Sequence, residues 1–173
     1  MSGPDPLDNE PARSDRSSDR ALSADEGPAL RDALSISARI AEDELQADEA
    51  RDRYQIEGLP MLEPDEQLAA LRQPDETPHS VHGSALLERD TASDEASRLL
   101  GGTLYLTSRR LLHAGAELTE VPLNAIEEMA VALERLLLIR LNDGSDLALE
   151  VEHPRLLRVQ IAAAKGAARA TAR

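Results

Sequence analysis

Residues 101–115, GGTLYLTSRRLLHAG, constrain the fold of this chain more than any other stretch. Residues 103–107 alternate leucine with threonine and tyrosine, and residues 110–113 resume an apolar pattern after a short polar interval. Threonine and tyrosine favour strands, while glycine at the two outer ends is typical of turns. The stretch therefore predicts an antiparallel β-hairpin that reverses direction at 107–109.

Strand character extends along the chain on both sides of this hairpin. The other segments with such a pattern are 80–89, 118–123, 126–133, 135–141 and 147–151. Asp143-Gly144 lies between the last two and predicts a tight turn, because glycine adopts positive φ without strain. Residues 135–141 are apolar on both faces, which predicts a strand covered on both sides. Residues 66–72 are too short for their periodicity to distinguish a strand from a helix.

Two segments have the periodicity of amphipathic helices. The first, at 29–53, carries an apolar stripe that consists of Leu30, Leu34, Ala38, Ala41 and Leu45. The second starts at Pro154 and extends to about residue 170, with basic residues toward its end. Two interpretations of the stripe remain open: it packs on the chain's own domain, or it binds a partner or a second copy. In the latter, Leu30, Leu34 and Leu45 are the partner-binding residues.

The net charge of −14 lies entirely in the first part of the chain. Residues 1–100 contain 24 acidic residues and 10 arginines, whereas residues 101–173 contain nine residues of each sign. Residues 1–28 have few large apolar side chains, which predicts a disordered acidic tail. Binding to nucleic acid or anionic lipid requires a protein to neutralise phosphates. We therefore expect no nucleic-acid partner and no attachment to a membrane surface.

The string from Gly102 to Leu111, with Thr107-x-x-Arg110 at its turn, resembles the central hairpin of GRAM domains, a branch of the pleckstrin-homology-like fold. Residues 122–129, PLNAIEEM, are similar to a second stretch typical of that family. The resemblance covers about residues 66–170, close to the usual size of one domain. It implies a mainly β (α+β) fold, in which a pleckstrin-homology-like barrel of about seven antiparallel strands is capped by a C-terminal helix.

The composition of the tail, the periodicity of the first helix and the resemblance together predict a domain organisation, to which the resemblance adds a first strand. The chain divides into a disordered acidic tail at 1–28, an amphipathic helix and linker at 29–56, and the barrel with its C-terminal helix at 57–173. In this arrangement residues 66–72 form the first strand of the barrel.

A binding or scaffolding module without catalysis is the function that the resemblance implies. Some members of the family bind phosphoinositides through basic residues around the first two strands. In this chain the basic residues of that region are Arg72 and Arg89. Three acidic residues oppose them, namely Asp75, Glu76 and Glu88. We therefore expect no pocket for a multiply charged head group there.

Arg109 and Arg110 lie at the central turn, where paired guanidinium groups can hold a phosphate or a carboxylate. The alternative is that they satisfy local carbonyls or pair with nearby glutamates. No nucleophile elbow, phosphate-binding glycine loop or zinc-hydrolase motif occurs in the sequence, and there is no cysteine. His79 and His82 supply too few ligands for zinc. We expect no enzymatic activity, no metal and no cofactor.

These observations favour a cytoplasmic, non-catalytic interaction or scaffolding module that binds a protein partner through the barrel, the N-terminal helix or both. One alternative is a peripheral lipid-binding or anion-binding module that uses Arg72, Arg89, Arg109 and Arg110. Another is a self-associating structural protein, which would make the chain a homo-oligomer. The cytoplasmic expectation depends on the absence of a signal pattern and of an apolar run near about 20 residues.

Overall fold

The computed structural model describes residues 26–88 and 98–171. Its elements are α1 Glu26–Glu57, α2 Glu66–Leu71, β1 Pro78–Glu88, β2 Arg98–Thr107, β3 Arg110–Ala114, β4 Leu118–Pro122, a 3-10 turn at Leu123–Ala125, β5 Ile126–Ala132, β6 Leu136–Leu141, β7 Asp146–Val151 and α3 Pro154–Thr171. Residues 1–25 of the predicted disordered tail lie outside the described residues, and residues 26–28 belong to α1. α1 is longer at both ends than the predicted helix at 29–53.

The seven strands form one antiparallel sheet in the order β4-β3-β2-β1-β7-β6-β5. β1 is central because it pairs with β2 along its length and with β7 through residues 84–87. The expectation of about seven antiparallel strands followed by a C-terminal helix is confirmed. The sheet is not closed into a barrel, however, and within the described residues β4 and β5 are its two edges.

The connection between the two edge strands explains why the sheet stays open. Pro122, the last residue of β4, has no N–H group with which to extend a ladder. In the 3-10 turn that follows, Leu123 N donates to Arg109 O and Asn142 N donates to Ala125 O, both at 2.8 Å. These bonds join the turn to the β2–β3 turn and to the end of β6, instead of pairing β4 with β5.

An aliphatic core lies between the inner face of the sheet and α3. Its largest deeply buried side chains are leucines and isoleucines from alternate strand positions, the 3-10 turn and one face of the helix: Leu104, Leu106, Leu111, Leu123, Leu137, Ile139, Leu149, Leu157 and Ile161. Full burial of a leucine or isoleucine side chain stabilises a fold by about 1.5–3 kcal/mol. This cluster is therefore the main apolar contribution to stability.

Residues 66–72, which the family resemblance assigns to a first strand, form the short helix α2 and its C-cap residue Arg72 instead. Asp65 caps this helix, because its Oδ1 accepts a hydrogen bond from Leu68 N at 2.7 Å. Leu68 is buried against Tyr105 and Leu112 on the face of the hairpin that points away from the main core. The hairpin of β2 and β3 is therefore covered on both faces.

The outer face of β6 differs from the prediction that residues 135–141 are covered on both sides. Leu137 and Ile139 are buried, but Leu138 is 38% exposed on the opposite face. Together with Leu87 and Leu136 it lines a shallow, largely apolar groove of about 550 Å³ across β1, β7, β6 and β5. The sequence pattern of this strand identifies apolar side chains on both faces. The described residues cover Leu137 and Ile139 on the inner face fully and the outer face only in part.

α1 packs on the outer side of α3 through the second half of its length. Ala47 and Ala50 are buried in this contact. Asp43 is 1% exposed, and its carboxylate accepts hydrogen bonds from Arg155 N (2.9 Å) and Leu156 N (3.1 Å). These N–H groups belong to the first turn of α3 and have no acceptor inside that helix. Asp43 therefore caps a helix that begins more than a hundred residues later in the sequence.

We expect Asp43→Ala to lower the free energy of unfolding by about 1–3 kcal/mol, because two backbone N–H groups of α3 lose their acceptor. Urea denaturation followed by circular dichroism measures the change. Asp52→Ala is the matched control, since Asp52 is exposed on the same helix, and it should change stability by no more than about 0.5 kcal/mol. Equal stability of the two variants would contradict the capping role.

Gly102 marks a close approach of β2 to the turn between β3 and β4. A Cβ atom on Gly102 would lie 2.6 Å from Ala114 O and 2.9 Å from Gly115 Cα, whereas one on Gly101 would meet open space. We expect Gly102→Ala to destabilise the fold by about 1–3 kcal/mol, because backbone atoms would have to move. Gly101→Ala should be tolerated. Thermal unfolding compares the two, and similar Tm values would show that the contact does not constrain the fold.

Candidate functional site

The arginine of the T-x-x-R string lies in a buried network. Arg110 donates through Nε to Glu76 Oε1 (2.9 Å) and through Nη2 to Glu76 Oε2 (3.0 Å). Its other bonds go from Nη2 to Leu71 O (3.0 Å) and from Nη1 to Glu120. Thr107 Oγ1 donates to Glu76 Oε1 at 2.7 Å. The spacing of Thr107 and Arg110 thus places both around one carboxylate at the ends of the hairpin turn.

Hydrogen bonding keeps Glu76 ionised although it is only 1% exposed. Burial alone would raise its pKa. Hydrogen bonds from Arg110, from Gln73 N and from Thr107 outweigh this effect, and the pKa of Glu76 lies below its ordinary value of 4.5. The carboxylate therefore contributes stability that is present above about pH 4.5 and is lost as the pH falls through the lowered pKa.

The four arginines predicted as anion ligands are not brought together. Arg72 is exposed and donates to Glu76 O at 3.2 Å. Arg110 is buried, and four of its hydrogen bonds are made inside the protein. Arg89 lies outside the described residues. Arg109 is exposed and lines a separate pocket.

This pocket, which we call the basic pocket, has a volume of about 350 Å³ and lies between the β2–β3 turn, the 3-10 turn and the last turns of α3. Its lining residues are Ser108, Arg109, Leu123, Asn124, Lys165, Ala168 and Arg169. Three of them are cationic and none carries a carboxylate. Lys165 and Arg169 are not recognisable from the sequence as site residues, because the helix dipole already accounts for basic residues at a helix end.

Lys165 is the half-buried member of the basic pocket. Its Nζ donates a hydrogen bond to Ile126 O. Burial lowers the pKa of Lys165, and the positive charge of Arg169 lowers it further. Both effects disfavour the protonated amine, so a negative charge placed in the pocket would stabilise it.

The apolar stripe predicted on α1 points away from the domain. At 3.6 residues per turn, it lies about half a turn from the face that docks on α3. Leu34 and Leu45 are 62% and 61% exposed, and Ala38 and Ala41 between them are exposed as well. We call these four residues the outer stripe. The side chain of Leu30 lies outside the described residues. α1 thus packs on its own domain, but through the face opposite to the predicted one.

His79 and His82, the histidines that the sequence singles out, make hydrogen bonds inside the chain. His79 Nδ1 lies 2.8 Å from Pro60 O, and His82 Nε2 lies 2.9 Å from Gln160 Oε1. Within residues 26–88 and 98–171, no group of three or more potential ligands is placed to hold a metal ion. None of the described helices combines the length and the apolar character needed to cross a membrane.

Comparisons with known proteins do not assign a family to this chain. No protein-family model matches it, and no curated protein matches it. Among solved structures, it is similar to the C-terminal domain of an unknown protein from Leishmania infantum, with 12% sequence identity and a TM-score of 0.43. The match covers 56% of this chain and 90% of that one. A likeness of this size carries no argument about function.

We expect Arg110→Met to lower the free energy of unfolding by about 3–5 kcal/mol, because it leaves the buried carboxylate of Glu76 without its cation. Urea denaturation at neutral pH measures the loss. Arg109→Met is the matched control on the neighbouring exposed residue, and it should stay within about 0.5 kcal/mol of the parent.

A double variant separates the ion pair from simple loss of packing. Arg110→Met combined with Glu76→Met should recover part of the stability, because no unpaired charge remains at the centre of the network. A double variant that is less stable than Arg110→Met alone would contradict this account.

Proposed function

We propose that this chain is a non-catalytic interaction module of the GRAM/pleckstrin-homology-like type that binds a protein partner through the outer stripe. The exposure of Leu34 and Leu45, on a helix whose opposite face is already docked, carries the proposal. Apolar residues at helical spacing on an exposed helix face are typical of surfaces that bind a partner helix or groove.

The order of elements supports the proposed type of domain. A long first strand pairs with both the second and the last strand, and a helix follows the seventh strand. The string that carries the family resemblance also has a structural explanation here, since Thr107 and Arg110 stabilise the central turn through Glu76.

The rim of the outer stripe indicates the chemistry of the partner. Glu42, Glu49 and Asp52 are exposed beside it or just beyond its end. A partner helix that carries leucines flanked by lysine or arginine would bury the stripe and meet these carboxylates. A second copy of this chain is disfavoured, because it would bring the same acidic rim and another net charge of −14.

Docking on α3 presents the stripe on a helix that is already formed. Asp43 anchors the second half of α1, and Arg39 Nη2 donates to both carboxylate oxygens of Glu134 in the β5–β6 turn at 2.9 and 3.0 Å. A segment that is ordered before binding loses less conformational entropy in the complex than a disordered one. The bonds of Asp43 and Arg39 therefore favour binding without adding a contact to the partner.

Site-specific photo-crosslinking of the full chain tests this function. A photoreactive amino acid replaces Ala41 at the centre of the outer stripe, or Leu118, which is exposed on β4, as the control. Adducts formed in the cells that produce the protein are identified by mass spectrometry. We expect an adduct at position 41 but not at 118, with the crosslinked peptide in a basic amphipathic helix.

The variant Leu34→Glu plus Leu45→Glu should abolish that adduct and weaken the purified complex by more than about tenfold, because two leucines lose their burial. Its stability should change by no more than about 0.5 kcal/mol, since both side chains are exposed in the free protein. Leu118→Glu is the matched control and should keep full affinity. No adduct, an adduct to a second copy, or an adduct that persists in the double variant would overturn the proposal.

A further inference from the structure

The basic pocket brings three cationic side chains together around one cavity whose lining has no carboxylate. Six described arginines form ion pairs with carboxylates, namely Arg39, Arg51, Arg110, Arg135, Arg140 and Arg155. Within the described part of the chain, no such pair involves Arg109, Lys165 or Arg169. The whole chain has 33 acidic and 19 basic residues other than histidine. Three cations around one cavity without a carboxylate therefore suit an anion supplied from outside.

Neutral hydrogen-bonding groups complete the polar side of the basic pocket. Ser108 Oγ accepts a hydrogen bond from Thr77 N at 3.1 Å, which leaves its hydroxyl proton free to donate to a ligand. Asn124 adds a side-chain amide to the lining. The 3-10 turn is held in place by the bond from Leu123 N to Arg109 O (2.8 Å). The pocket thus contains donors on a fixed backbone frame.

The apolar part and the volume of the basic pocket limit the size of the ligand. Leu123 and Ala168 supply apolar surface beside the cations. A volume of about 350 Å³ is at the lower end of the range for small-molecule sites. The ligand therefore combines an anionic group with a small organic portion.

We propose that the basic pocket binds a small phosphate monoester, whose phosphate lies among Arg109, Lys165 and Arg169. A phosphate monoester carries a charge of about −1.5 to −2 at neutral pH and three acceptor oxygens. Guanidinium groups can bind two of its oxygens at once, while an ammonium group acts as a point charge. A single carboxylate has less charge and fewer acceptor positions, so it matches the three cations less well.

Of the four arginines that the sequence indicates as anion ligands, this site contains Arg109 but neither Arg72 nor Arg110. Arg110 is neutralised by Glu76 and Glu120, and Arg72 donates to Glu76 O without lining the basic pocket. The site is also separate from the outer stripe, because α1 supplies none of its lining residues. Binding of the ester and binding of the protein partner can therefore be tested independently.

Amide NMR of the full chain tests the proposal with glycerol 3-phosphate as the probe and glycerol and succinate as controls. We expect glycerol 3-phosphate, at concentrations up to about 10 mM, to shift the amide signals of Ser108, Arg109 and Asn124. Glycerol should not shift them, and succinate should bind more weakly. Vesicles that contain a phosphoinositide form a second arm, with glycerol 3-phosphate as the competitor.

Paired variants identify the site. Arg109→Met plus Arg169→Met removes two exposed cations from the pocket and should weaken the binding of glycerol 3-phosphate by about tenfold or more. Arg31→Met plus Arg53→Met removes the same charge from exposed positions on α1 and should leave it unchanged. Circular dichroism checks that both pairs fold.

The outcomes decide both the site and the source of the phosphate. No shift at these amides, equal weakening in both pairs, or succinate binding as tightly as the ester would overturn the proposal. Ester binding lost only in the pocket pair supports it. In that case, vesicle binding that glycerol 3-phosphate competes away assigns the phosphate to a lipid head group, whereas absence of vesicle binding assigns it to a free ester.

Discussion

The buried ion pair of Arg110 and Glu76 joins the segments on which the rest of the structure depends. Glu76 precedes β1, whereas Arg110 begins β3 and also binds the last carbonyl of α2 at Leu71. A buried pair of charges is stable only when its remaining donors and acceptors find partners. Thr107 and Gln73 N donate to the carboxylate, and Glu120 accepts from the guanidinium. One network therefore fixes α2, the start of β1 and the central hairpin together.

The same turn connects this interior network to the protein surface. Arg110 is the first residue of β3, whereas Arg109 still lies in the turn. Arg110 is directed into the interior and Arg109 toward the basic pocket, although the two are neighbours in sequence. Backbone bonds from Ser108 N to Thr77 O and from Leu123 N to Arg109 O, both 2.8 Å, hold the turn in this position. The geometry of the proposed anion site is therefore a consequence of the hairpin that the network stabilises.

One face of α3 packs against the sheet and the other packs against α1, which explains the orientation of α1. Leu157 and Ile161 fill the core, while Val159 on the other side receives the alanines of α1. Small residues let the two helix backbones approach, and Asp43 satisfies the N–H groups at the start of α3. Leucines at the docking positions would hold the helices apart. The exposed leucines of α1, Leu34 and Leu45, lie on the opposite face.

The structure departs most from the sequence pattern at α2 and at the docking face of α1. The periodicity of 66–72 could not predict that Asp65 caps a helix there or that Leu68 covers Tyr105. The apolar stripe of α1 is the most regular apolar pattern in that segment, yet the docking face contains two alanines, Tyr54 and a buried aspartate. A pattern of apolar residues records which side chains share a face. It does not record which face has a neighbour.

The sequence by itself determined the antiparallel strands, the central turn, the final helix and the long helix before the sheet, because period, turn residues and helix starts are local properties of the backbone. Only the tertiary structure decided that the sheet stays open, that Arg110 is buried with Glu76, and that Lys165 and Arg169 join Arg109 around one pocket. Those outcomes depend on contacts between residues more than 30 positions apart in sequence. The free energy of such contacts comes from burial and pairing, which exist only after the chain has folded.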